Sequence, residues 1–120
     1  MQLAVEPIAP GYDARLVLVY PNEFADFHHM EDGYLITQIR ADLDAEDVLF
    51  EASSESGSIV LERGNAETCL TLSVPATATA LMAPDTNVVF DIVRIDGAVR
   101  DVIPGLWRWP VRKTVTQNVV

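Results

Sequence analysis

Few residues in this chain have the types and spacing that chemistry needs. His28 and His29 stand side by side among Glu23, Asp26, Glu31 and Asp32, and imidazole with carboxylate is a zinc ligand set. Adjacent histidines on a helix or strand point in different directions, so the pair reads as a half-exposed loop feature and not as a metal site. Asp42, Asp44 and Glu46 resemble the opening of a calcium loop. Its sixth position should be glycine and is Asp47, and its twelfth should be glutamate and is Ser53, which breaks the pattern at the turn and at the closing ligand. The single cysteine, Cys69, forbids an internal disulfide. It falls in Glu67–Val74, where alternation sets it against Leu70 and Leu72, so it reads as a partly buried small side chain. A hydrolytic triad needs a nucleophile, a histidine and an acid in fixed geometry. Both histidines lie in one stretch, and neither a glycine-rich phosphate loop nor a Gly-x-Ser-x-Gly elbow occurs. The expectation is a non-enzymatic protein with no catalytic residue, metal or cofactor.

The aromatic and basic residues point elsewhere. From Trp107 to Val115 apolar and polar residues largely alternate. Trp107, Trp109, Val111 and Val115 fall on one face with Lys113, and Arg108, Arg112, Thr114 and Thr116 on the other. A period of two puts one face on a core and one toward water or a neighbour. Both tryptophans of the chain are here, so this block should carry much of the apolar burial.

The charge is uneven along the chain. Net charge is −10, a poor surface for nucleic acid. Up to residue 93 there are 3 basic against 16 acidic side chains; from residue 94 there are 5 basic (Arg94, Arg100, Arg108, Arg112, Lys113) against Asp96 and Asp101. Such asymmetry sets orientation and register between partners more than affinity. The apolar residues of the N-terminal stretch, Leu3, Val5 and Ile8, with Arg108 and Arg112, are therefore the candidate assembly contacts.

The elements that would position these residues are short strands. The 120 residues fit one domain and are 49% hydrophobic, and no apolar run reaches the roughly 18 residues of a membrane span. The start, with neither basic residues nor a long apolar run, predicts no signal peptide and a protein kept in a reducing cytoplasm or assembled there. Residues 1–14 hold Pro7, Pro10 and Gly11 and read as an extended N-terminal arm; residues 15–120 read as the domain. Arg15–Tyr20, Tyr34–Ala41, Val48–Ala52, Ser58–Glu62 and Glu67–Val74 have strand character. Residues 22–33 fit either a short helix capped by Asn22, with Phe24, Phe27 and Met30 on one side, or a loop that tucks its aromatics under a sheet. Residues 42–47 and 53–58 are polar connectors, Arg63–Ala66 is a hairpin turn, and Pro75–Ala83 has room for one helical turn. Asn87–Thr116 reads as three strands joined by turns at Asp96-Gly97 and Pro104-Gly105. Seven or eight short strands at this spacing predict an all-β, antiparallel β-sandwich of the immunoglobulin-like kind.

Residues 30–116 resemble a group of small bacteriophage tail and baseplate proteins with an immunoglobulin-like sandwich. The resemblance lies in Phe90-Asp91, the Asp96-Gly97 hairpin, Gly105 and the closing Val115-Thr116. It continues in Gly33-Tyr34 followed by Gln38-Ile39-Arg40, and in the segment Val74–Leu81. It implies a virion structural protein, present in several copies in a tail, baseplate or fibre attachment. Its partners would be identical subunits and other virion proteins, with no nucleic acid or membrane. A head decoration protein is the neighbouring reading. A carbohydrate- or ligand-binding sandwich with Trp107 and Trp109 as its platform is the alternative of a different class.

Overall fold

The computed structural model describes residues 6–114 and, for the backbone alone, residues 2–3. The side chains of Leu3 and Val5, and all of Val115 and Thr116, lie outside the described residues. Eight strands and two short helices follow in the order β1 (Gln2–Leu3), β2 (Ala14–Pro21), α1 (Asn22–Phe27), β3 (Tyr34–Ile39), β4 (Phe50–Ser53), β5 (Ile59–Arg63), β6 (Glu67–Val74), α2 (Ala76–Thr79), β7 (Thr86–Asp96) and β8 (Val99–Val111). They form two sheets, β1-β8-β7-β3-β4 and β2-β6-β5. Among the described residues β1 lies parallel to β8, as does the single bridge Ile8↔Val111, and the other strand pairings are antiparallel. The orders β2-β6-β5 and β8-β7-β3-β4 reproduce the B-E-D and G-F-C-C′ orders of an immunoglobulin-like sandwich.

Alternation explains which side of each strand is buried. β2 reads Leu16, Leu18, Tyr20 inward and Arg15, Val17, Val19 outward; β6 reads Leu70, Leu72, Val74 inward and Cys69, Thr71, Ser73 outward. The facing sheet contributes Leu35 and Ile39 from β3, Val88, Phe90 and Ile92 from β7, and Ile103, Trp109 and Val111 from β8. Burying a side chain of this size contributes about 1.5–3 kcal/mol, so the two inner faces carry most of the stability. Immunoglobulin variable and constant domains pack a strand-C tryptophan on an inter-sheet disulfide. Here the middle of the matching strand carries a buried threonine, Thr37, and the buried tryptophan is Trp109 on β8.

Two readings of the sequence are corrected. The stretch after Asn87 holds two strands, not three. Pro104-Gly105 is no turn but an irregularity within the 13-residue β8, where the β7 pairing shifts between Phe90↔Trp107 and Ile92↔Ile103. Three β8 residues face Asp91 there, and Pro104 supplies no N–H for a ladder that is already interrupted. Gly105 sits at φ +133, a conformation side chains rarely adopt, and a Cβ there would come 3.3 Å from Trp107 Nε1.

The second correction concerns residues 22–33. A helix does form, but its N-cap is Pro21 and no side chain caps it. Asn22 instead donates through Nδ2 to Gly64 O and accepts from Thr68 Oγ1. Phe24, Phe27 and Met30 do not share a side. The helix stops at Phe27, so Met30 is placed by the loop: it is buried at 2% exposure, Phe24 is half-buried, and Phe27 is 79% exposed.

From Glu6 onward the N-terminal arm lies on the body of its own chain. The Ile8 N–H donates to Pro110 O at 2.8 Å, and the Arg112 N–H donates to Ile8 O at 2.9 Å. Ile8 itself has no exposed surface. Asp13 Oδ1 accepts the Ala76 N–H at the start of α2, and buried Thr79 accepts the Gly11 N–H and donates to Tyr12 O. Pro7 favours extended backbone before Ile8, which is what the edge of β8 can pair with, whereas Pro10 and Gly11 turn the chain, the Tyr12 N–H donating to Ala9 O at 3.1 Å.

Candidate functional site

Strand register puts the charged groups at two ends of the sandwich. β7 starts at Thr86 opposite Val111 and finishes at Asp96 opposite Val99, while Tyr34 at the start of β3 pairs with Ile95. The loop end therefore gathers α1, residues 28–33, the Arg63–Ala66 turn and the β7–β8 hairpin. In immunoglobulin variable domains the corresponding B–C and F–G loops carry the binding residues. The other end gathers Ile8–Asp13, α2 and the C-terminal part of β8.

At the loop end two arginines hold the carboxylates. Arg63 makes a two-pronged contact with Asp26, Nη1 to Oδ1 at 2.6 Å and Nη2 to Oδ2 at 3.1 Å, and reaches Glu31 Oε1 at 3.3 Å. These hydrogen bonds from Arg63 hold the Asp26 carboxyl below its ordinary range and push the guanidinium further up. All three side chains are well exposed, so the cluster orders the loop more than it stabilises the fold. Arg94 is different. Its side chain is 7% exposed, and Nη2 donates to Asp101 Oδ2 at 2.7 Å. Nη1 reaches Asp96 Oδ2 and Asp32 O, each at 3.4 Å, while Nε has no partner. Nearby, the Tyr20 hydroxyl is also buried without a partner, and burial pushes its pKa up to about 12. Its ring stacks on Phe24 at 5.2 Å.

The histidines are accounted for by this packing. His28 lies against Phe24 and Phe27, with ring centroids 4.3 and 5.0 Å apart. His29, at φ 52, sits 3.5 Å through Nδ1 from Asp32. Among the described residues no three His, Cys, Asp or Glu side chains gather as a metal ion would require. Asp42 Oδ1 accepts the Asp44 N–H in an Asx-type turn. Cys69 is half-buried on the outer face of β6, opposite Val19 and Glu62. Of the serines around the β4–β5 connector, Ser53, Ser56 and Ser58 bond to one another and to its backbone, and Ser54 Oγ accepts the Leu35 N–H of β3.

The candidate assembly contacts separate into three groups. Ile8 is removed from the surface by the core of its own chain. Leu3 is placed by backbone alone, paired with Arg108 along β8, and Val5 is outside the described residues. Arg108, Arg112 and Lys113 are exposed. Arg108 lines a cleft with Leu43, Val89 and Asn87, whose loop side carries Asp42 and Asp44. Arg112 Nη1 donates to Thr86 O and Val111 O, which holds its stem along the end of β7.

The tryptophans do not make a platform. Trp109 is 1% exposed, and its Nε1–H donates to Glu6 O at 2.7 Å. Trp107 is half-buried and stacks near Phe90. A sugar ring needs an aromatic face open to solvent, which Trp109 lacks.

Sequence reading missed the loop-end arginine networks and the projecting Phe27. The networks join residues 37 and 62 positions apart, a distance no spacing rule covers. Comparison with protein-family models, curated proteins and solved structures finds no match.

Proposed function

We propose that the protein is a non-enzymatic structural component of a bacteriophage virion, a multi-copy tail, baseplate or fibre-attachment protein. The observation that carries this reading is where the motifs of the resemblance fall. Phe90-Asp91 and Gly105 meet at the β7–β8 irregularity, and Asp96-Gly97 makes the hairpin between the same strands. All three belong to the largest paired surface of an immunoglobulin-like sandwich, a fold that presents loops and edges to neighbours. The polar side chains are spent on turns and ion pairs, which suits a part that works by packing. Buried Trp109 removes the feature that favoured a carbohydrate-binding module.

The test is quantitative mass spectrometry of purified particles from a host carrying the gene, with and without the gene deleted. The reading expects the protein in intact particles at several copies each, and defective tails in the deletion. Particles that lack the protein and assemble normally without it would refute the reading.

A further inference from the structure

Phe27 is the most exposed large apolar side chain among the described residues, at 79%. A ring this open at the end of a six-residue helix contributes nothing to its own core. It stands edge-on to His28, which limits its freedom before any partner arrives. Residues 22–33 around it carry four carboxylates, Glu23, Asp26, Glu31 and Asp32, and no lysine or arginine. Arg63 occupies Asp26 and Glu31 and fixes the loop. Glu23 and Asp32 remain on the rim. A rigid aromatic ringed by charge has the composition of an interface anchor.

The complement lies at the other end of the same molecule. Residues 105–114 carry Arg108, Arg112 and Lys113 and no acidic residue, and all three cations are exposed. Beside Arg108, Leu43 and Val89 give the adjoining cleft apolar walls. A guanidinium over the face of a phenyl ring and aliphatic side chains at its edge are a favourable seat for phenylalanine. Asp42 and Asp44 on the loop side of that cleft steer incoming carboxylates to the β8 side.

We propose that Phe27 and the carboxylates around it dock on the basic end of β8 of a second copy of this chain. This rests on the reading of the protein as a multi-copy assembly part, and it names the surfaces. The two patches lie at opposite ends of the strands, so the contact is head-to-tail and propagates through successive copies, closing into a ring if the rotation permits. The rim charges set register and salt dependence, and the ring sets the residence time.

The experiment is sedimentation velocity of the purified full chain over a range of concentration and salt, with circular dichroism of every variant. The parent should self-associate, less so at high salt. Phe27→Ser should fold like the parent and weaken association at least about tenfold, while Phe27→Leu should retain most of it. Arg112→Glu with Lys113→Glu should weaken association, and mixing that variant with Glu23→Lys/Asp32→Lys should restore it. A parent that stays monomeric, or a Phe27→Ser variant that associates like the parent, would overturn the proposal. Particle composition is read separately. Association lost with Phe27→Ser in a protein absent from particles would uphold the contact and refute the virion reading; the converse pair of results would do the reverse.

Discussion

The two ends of the sandwich are built on different terms. At the end where Ile8, α2 and the close of β8 meet, the described residues leave no buried side-chain polar atom without a partner. Trp109 Nε1 has Glu6 O, Thr79 has Gly11 and Tyr12, and the Ile8 backbone has Pro110 and Arg112. At the loop end the Tyr20 hydroxyl and Arg94 Nε are buried unpaired and Phe27 stands in solvent, while left-handed backbone occurs at both ends, at His29 here and at Asp85 beside Val111. Unpaired buried polar groups cost about 1–3 kcal/mol each. The closed end stabilises the fold. The loop end carries costs that the fold itself does not need, as interaction surfaces commonly do.

The largest effect that could break this comparison is at the closed end. Trp109→Ala should destabilise by about 3–5 kcal/mol, because it opens a cavity and orphans Glu6 O. Trp107→Ala, half-buried at the rim of the same face, should cost clearly less. Urea unfolding followed by circular dichroism measures both; equal losses would mean that burial of Trp109 against Glu6 is not what closes that end.

A smaller effect tests Arg94. Its carboxylate partners are half-exposed at 52% and 54%, while the guanidinium is buried. Removing the cation returns the carboxylates to water, but removing Asp101 leaves a buried charge with two long contacts, to Asp96 Oδ2 and Asp32 O. Asp101→Ala should therefore cost about 3 kcal/mol, and Arg94→Met appreciably less. The opposite order in the same unfolding experiment would show that the pair acts as a net stabilising bridge.

The smallest effect concerns Tyr20. The phenol ionises near 10 when unfolded and at about 12 when folded. The fold favours the neutral form, so its contribution is present below about pH 10 and is lost as pH rises toward 12. The expected loss is about 2–3 kcal/mol over that window. Tyr20→Phe should remove this alkaline dependence and, by deleting an unpaired hydroxyl, should stabilise at neutral pH by about 1 kcal/mol. A destabilised Tyr20→Phe would mean that the hydroxyl has a partner.

The strands were more legible in the sequence than the segments that join and flank them, for a physical reason. Strands reveal themselves through a period of two, and β2 and β6 follow it almost residue by residue. The Arg63–Ala66 and Asp96-Gly97 turns announce themselves by residue type. Pro104-Gly105 misled because the same pair that makes a turn also marks an interruption within a strand; which one forms depends on whether β7 is long enough to pair on both sides. What the arm would lie on was not legible, because pairing with β8 is a property of the whole fold. Phe27 shows the same limit. Helical spacing placed it with Phe24 and Met30, but a helix that ends at Phe27 keeps no spacing beyond it.

The division of labour between the ends can be read most directly by hydrogen exchange on the full chain, comparing dilute protein in high salt with concentrated protein in low salt. Protection should rise in residues 22–33 and 105–114 together, with the segment around Ile8 and α2 already protected in both states. Protection that rises instead on the outer faces of β2, β5 and β6, around Val17, Val19 and Val60, with no change in residues 22–33, would contradict the assignment of the loop end as the surface that meets a neighbour.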